Sequence, residues 1–210
     1  MDQKQEQLEA LKGIRTLMER SSLFLSLSGL SGIIIGMIAI AGMAFVYINA
    51  GIQSESSINE TLILDLESSQ RFYGFLFIVL LVVLVLSLGV GVVFAIRNAR
   101  QQQLPIWDSS AKRLLINMFI PLTAGGLFCL ILSYHGNLNL ILPSTLIFYG
   151  LALINASKYT ITDIRYLGIL EVVVGLLATF FIDQAMLLWT LGFGMLHIVY
   201  GTTIYFKYER

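Results

Sequence analysis

The sequence predicts an all-α fold: a polytopic transmembrane bundle of six helices, both termini cytoplasmic, preceded by an amphipathic interfacial helix. Three observations carry that prediction. Only 12% of the 210 residues are charged, where a soluble domain carries about 25%. The apolar residues gather into six runs, about 23–49, 72–96, 114–133, 138–156, 166–182 and 185–206. Each approaches or meets the length needed to cross a hydrocarbon core about 30 Å thick. The charges between the runs also segregate by side. With six crossings, Lys4, Lys12, Arg15, Arg20, Arg97, Arg100, Lys112, Arg113, Lys158, Arg165, Lys207 and Arg210 fall together, and only Arg71 of the thirteen Lys and Arg falls opposite. Lys and Arg accumulate in cytoplasmic loops, so the expected location is an inner (plasma) membrane with both termini in the cytoplasm.

Taken in order, residues 1–22 carry Leu8, Leu11, Ile14, Leu17 and Met18 at helical spacing, with Lys4, Lys12, Arg15 and Arg20 elsewhere. That pattern makes an amphipathic helix lying on the bilayer or docking a cytoplasmic protein partner. The first apolar run is too long for the core of a signal peptide and follows a 22-residue charged segment, which reads as a retained span. Within it, Ser28, Gly32 and Gly36 recur every four residues, a small-residue ridge for close helix packing. The ridge suits a homodimer or a partner within the chain. Residues 51–71 form a polar, mostly acidic loop. Ser57 and Glu60 there have capping-box spacing for a short surface helix through Leu66, and Asn59 heads a formal glycosylation sequon.

The second run is almost uniformly Val, Leu, Ile and Phe, as expected of a helix facing lipid for most of its length. The third carries Asn117 and Pro121, four apart. A proline at 121 denies the carbonyl of residue 117 its helical donor, which predicts a kink. Residues 134–139 are a tight turn containing His135. The fourth run begins weakly, with Asn137, Asn139 and Pro143. Either Pro143 kinks a complete span or residues 138–142 enter as non-helical chain, a pattern found at solute sites of transporters. The fifth and sixth runs fold back at Asp183 and Gln184, and 207–210 form a cytoplasmic tail. Tyr47, Tyr73, Tyr134 and Trp189 at the outer ends, with Trp107, Tyr159 and Tyr205 at the inner, read as aromatic belts at the interfaces.

The fifth and sixth runs also hold the chemistry. Glu171 and His197 are almost equally far from the turn. Each lies between glycines three residues before and four after, Gly168 and Gly175 around Glu171 and Gly194 and Gly201 around His197. These offsets share one helix face, so both groups point at protein rather than lipid. At ~1.5 Å per residue Glu171 lies about 7–9 Å and His197 about 13 Å from the cytoplasmic ends. Ser31, Asn117, Asn155 and Tyr200 fall in the same half, which predicts a polar cavity open to that side. An ionisable group costs about 2.5 kcal/mol or more at the centre of a span, so it takes a partner. A proton shared by Glu171 and His197 suits relay or pH sensing; a hydrogen bond that merely locks two helices is the structural alternative.

Much else is excluded. Zero net charge provides no footprint for nucleic acid. His135 and His197 are the only histidines, Cys129 the only cysteine, and they offer no metal cluster. No Walker A loop, GxGxxG or HExxH is present, so no cofactor is expected. No segment between or before the runs exceeds 22 residues, too few for a separate soluble core. Gly29-Leu30-Ser31-Gly32 resembles the GxSG of rhomboid-type intramembrane proteases, which would cast Ser31 as nucleophile and His197 as base. Here, however, the motif sits on the first span rather than the fourth. The chain as a whole resembles the small, uncharacterised six-span inner-membrane proteins of bacteria, in hydropathy and in its entry to the first span from Met18-Glu19-Arg20-Ser21-Ser22 to Ser28-Gly29-Leu30-Ser31-Gly32. That resemblance transfers no activity. The expected partners are therefore the lipid bilayer, a small solute or ion, and a second copy or a cytoplasmic protein. The leading expectation is binding or transport of the solute, gated at Glu171 and His197.

Overall fold

A computed structural model describes residues 28–49, 66–101, 103, 107 and 109–209. The helix expected over 1–22, the start of the first span at 23–27 and the sequon lie outside the described residues, as does the surface helix expected through Leu66, up to Leu66 itself. Every long element that is described is helical. α1 is Gly29–Asn49, α2 Leu66–Gln101, α3 Ser109–Tyr134, α4 Ile141–Ala156 and α5 Ile164–Phe180. The last, α6, changes pitch: it is α-helical over Ala185–Trp189, a π-helix over Thr190–Leu196, α-helical over His197–Ile204 and a π-helix over Tyr205–Glu209. Among the described residues, five stretches are long and apolar enough to cross a membrane: Gly29–Asn49, Arg71–Gln101, Ser109–Tyr134, Leu138–Tyr159 and Ile182–Tyr208. α5, at 17 residues, spans about 25 Å at ~1.5 Å per residue.

α2 and α3 extend beyond the apolar runs that announced them. Residues 66–71 and 97–101 contain no Gly or Pro, so nothing in the backbone stops the helix where hydropathy falls; apolar runs mark the bilayer, not the helix ends. At 36 residues, α2 is about 54 Å long by the same rise. α3 runs through Pro121 as one element. It ends at Gly136, whose φ of 76° is the left-handed conformation that glycine adopts without strain. There Asn137 N–H bonds to Leu132 O and Gly136 N–H to Ser133 O, which satisfies the last carbonyls.

The fourth span corrects both readings of Pro143. Leu138–Leu140 is a single 3-10 turn and the α-helix starts at Ile141. Pro143 therefore sits in the first turn, where an N–H would have no intrahelical acceptor anyway and its absence is harmless. No kink follows.

The glycines set the packing order. A Cβ at Gly150 would come 2.6 Å from Gly168 O, and one at Gly168 would come 2.7 Å from Gly150 O. α4 and α5 thus touch backbone to backbone, running antiparallel. At a second seam, a Cβ at Gly201 would lie 2.6 Å from Ile33 N and one at Gly36 would lie 2.6 Å from Gly194 O, so α1 and α6 are also antiparallel and in close contact. α5 and α6 fold back at Asp183 and Gln184 as a hairpin, and these seams show what its glycine stripes meet. The stripes flanking Glu171 and His197 do not face each other. Gly168 and Gly175 receive α4, while Gly194 and Gly201 receive α1. The ridge on α1 finds its partner within the chain, and Gly29, Gly32 and Gly36 form its contact face.

α2 lies along α1, where a Cβ at Gly42 would meet Val83, and leaves Leu81, Leu84, Val85 and Leu88 exposed. α3 lies along α4 and likewise exposes Ile116, Phe119, Ile120 and Leu130. The main core is apolar and joins Met43 and Val46 of α1, Val79 of α2, Leu146 of α4, Ala178 of α5 and Trp189 of α6. Burying Trp189, which is 5% exposed, corrects its assignment to an interfacial belt. Its ring fills the core and its Nε1–H donates to Thr145 Oγ1 at 3.1 Å, which satisfies the indole's one polar group. Tyr134, at 87%, and Trp107, at 64%, are exposed.

Candidate functional site

Where α4, α5 and α6 meet, three polar side chains converge inside the bundle. Glu171 of α5 is fully buried and His197 of α6 is 4% exposed. His197 Nδ1 lies 3.3 Å from Glu171 Oε1 and 3.3 Å from the carbonyl oxygen of Gly192. On the other edge of the ring, Tyr149 Oη of α4 is 2.8 Å from His197 Nε2.

The hydrogen bonds determine the ring's tautomer. Gly192 O can only accept, so Nδ1 carries the proton and donates to it. In the neutral ring Nε2 then accepts, and Tyr149 O–H is its donor. The Glu171 contact differs in kind. Its 3.3 Å separation is within ion-pair reach, yet neither carboxyl oxygen makes a directed hydrogen bond, because the ring N–H points at Gly192. The geometry of the hydrogen bond is the stricter criterion, so Glu171 is read as a buried carboxyl in contact with His197 but not bonded to it. Polar groups buried without a partner are few in folded proteins.

Local sequence explains the approach. Gly192 lies in the π segment of α6, just before His197, and π turns inside α-helices concentrate at functional sites. A Cβ on residue 192 would stand 2.7 Å from Glu171 Oε2 and 2.5 Å from Leu146 Cδ2. Only a bare Cα leaves room for the carboxyl. Phe193 then packs tilted on Tyr149, with centroids 4.9 Å apart, and lies parallel to His197 at 5.9 Å. These rings hold the imidazole plane.

Of the residues expected to share this site, the structure brings together Glu171 and His197 and separates the others. Tyr200 packs against the apolar cluster of Leu153, Ile164 and Leu167; the hydroxyl on His197 belongs to Tyr149. Asn117 and Asn155 form a separate link. Asn155 Nδ2 donates to Asn117 O at 2.7 Å, taking the carbonyl that Pro121 leaves without a helical donor, while Asn117 Nδ2 donates to Arg113 O. Ser31 Oγ donates to Ser28 O at 2.6 Å, and His197 is engaged elsewhere, so the serine–histidine hydrogen bond that activates a nucleophile is not made. His135 is exposed in the turn after α3. Among the described residues no His, Cys, Asp and Glu cluster could hold a metal ion.

The expected cavity does not coincide with this site. A cavity of about 50 Å³ lies at the opposite end of the bundle, lined by Tyr73, Asn139, Asp183 and Met186 among others, and neither His197 nor Glu171 lines it. Sequence reasoning also missed Tyr149 and Gly192. Tyr149 carried a signal, since a hydroxyl midway along an apolar run needs a partner. Gly192 had none, because a change of pitch leaves no mark on the pattern.

Set against protein-family models, curated protein sequences and solved structures, the chain matches none of them.

Proposed function

We propose that this is a six-span inner-membrane protein with cytoplasmic termini that binds or transports a small solute or ion, coupled to a proton held at Glu171, His197 and Tyr149. The observation that carries the reading is the buried, unbonded carboxyl of Glu171 against a histidine whose far nitrogen meets a tyrosine hydroxyl. An isolated charge at this depth is costly, so the economical state of the pair holds one proton between them. The imidazole joins the two oxygens: a proton given to Nε2 by Tyr149 is matched by the Nδ1 proton passing to Glu171. Tyr149 then takes a replacement from its own side, the ring returns to its Nδ1–H tautomer to reset the site, and no charge is stranded. The sidedness of Lys and Arg supports the orientation. The 2.7 Å pair between Lys207 and Asp163 joins the end of α6 to the turn before α5, which is consistent with both lying on one side.

The test is proton uptake by the reconstituted protein, wild type beside Glu171→Gln. A transition present in wild type and lost in the folded variant is expected. A wild type with no transition would sink the reading and leave the pair as a clamp between helices.

One observation favours a second reading, a membrane sensor or scaffold that docks a cytoplasmic partner through residues 1–22. Glu171 is closed in by Leu146 and Gly192, which suits reporting of protonation better than passage of a solute. On that reading, deleting residues 1–20 abolishes function and leaves proton uptake intact.

A further inference from the structure

One donor faces two acceptors. His197 Nδ1 is 3.3 Å from Gly192 O and 3.3 Å from Glu171 Oε1, and one N–H cannot serve both well. Gly192 belongs to the π segment Thr190–Leu196. Its missing side chain is what admits the carboxyl, with Glu171 Oε2 2.7 Å from where a Cβ would stand. We infer that Gly192 is the positioning residue of the proton site: its carbonyl competes with Glu171 for the His197 Nδ1 proton, and the outcome sets the pitch of α6 over Thr190–Leu196. This rests on the proposed role of Glu171 and His197 as a proton site.

The competition follows from hydrogen-bond strength. With Glu171 protonated and the ring neutral, Nδ1–H donates to Gly192 O and Tyr149 O–H donates to Nε2, the arrangement in the structure. When Glu171 loses its proton, the carboxylate becomes the stronger acceptor, since charge-assisted bonds are about twice as strong as neutral ones. Nδ1–H then turns to Oε1 and Gly192 O is released. Gly192 O is then left to backbone donors alone, the N–H of His197 five residues on, as a π turn pairs it, or that of Leu196 four residues on. Without the imidazole holding the wide turn, the pairing four residues on is favoured and the segment tightens towards α geometry. The titratable groups facing the ring are Glu171 from α5 and Tyr149 from α4, with Tyr200 one turn along α6. α1 packs on this stretch through Gly32 and Gly36 and has no titratable side chain between Gly29 and Gly36. The proton thus acts first on backbone.

The experiment is amide hydrogen exchange over residues 190–196 of the full-length reconstituted protein against pH, read beside proton uptake. In wild type, protection in this segment, after correction for the intrinsic pH dependence of amide exchange, should change several-fold across the same transition as uptake, and Glu171→Gln should abolish both. Gly192→Ala tests the positioning role directly. Leu146→Val in the same chain removes one of the two collisions and protects the fold. Compared with Leu146→Val alone, in which uptake and exchange should still move together at one midpoint, this double variant should shift the midpoint of uptake and uncouple it from exchange. Proton uptake in wild type with no change in exchange over 190–196 overturns the inference and leaves the proton site standing. A double variant that titrates and exchanges as wild type overturns it too. Absence of uptake in wild type overturns the proton site itself.

Discussion

Replacing Tyr149 with Phe removes one hydroxyl and nothing else of consequence. The ring keeps its contacts with Phe193, at 4.9 Å, and His197, at 5.5 Å, so packing is conserved and no cavity opens. What is lost is the 2.8 Å hydrogen bond to His197 Nε2, and the nitrogen is left without a donor inside the bundle. Leaving a buried acceptor unsatisfied costs about 1–3 kcal/mol in soluble proteins. Measured interhelical hydrogen bonds in membranes average about 0.6 kcal/mol and reach about 1.7. The bond here is short and its acceptor nearly inaccessible, which points to the upper part of the membrane range, about 1–1.5 kcal/mol, or close to tenfold in the unfolding equilibrium. Equilibrium unfolding in bilayers or mixed micelles would measure it, with His197→Gln and the double variant completing a cycle. A coupling energy near zero between positions 149 and 197 would refute the assignment of Tyr149 as the donor. The same variant distinguishes relay from clamp. On the relay reading, proton uptake by Glu171 slows in Tyr149→Phe although the carboxyl is untouched.

Three further outcomes follow from the geometry. Asn155→Ala should lose about 1 kcal/mol by orphaning Asn117 O; the loss should shrink in a Pro121→Ala background, where the backbone regains its own donor, and an unchanged loss would refute the account of the link. Gly168→Ala puts a methyl 2.7 Å from Gly150 O and should cost about 1–3 kcal/mol as overpacking does, while Gly126→Ala, with nothing within 4 Å, should be silent; thermal stability of the two variants side by side decides it. Trp107→Phe, which leaves Trp189 as the only tryptophan, should give blue-shifted fluorescence that resists aqueous quenchers; easy quenching would contradict the burial of Trp189 and its bond to Thr145.

The sequence by itself determined the class of object. Charge deficit and apolar runs act through the bilayer, which demands that backbone hydrogen bonds close within each span and so leaves helix as the outcome. That argument is local, and wherever the structure describes them it located the helices to within about six residues at each end. It also singled out Glu171 and His197, because an ionisable residue in an apolar run is conspicuous whatever surrounds it. Only the tertiary structure decided which surfaces meet. The glycine stripes at 168 and 175 and at 194 and 201 announced close packing without naming the partner, and the partners proved to be α4 and α1 rather than each other. Asn117 and Asn155 shared a depth with Glu171 but not a neighbourhood, since depth fixes one coordinate and helix rotation the others. Trp189 sits near the end of a run, where tryptophans favour the interface, yet Thr145 on α4 offers its indole a partner in the core. Tyr149 reaches His197, and Gly192 yields its carbonyl and its bare Cα, through a π turn that no periodicity reveals. Composition fixes what a span is made of; the rotation and pitch of each helix are set by its neighbours, and the site depends on those.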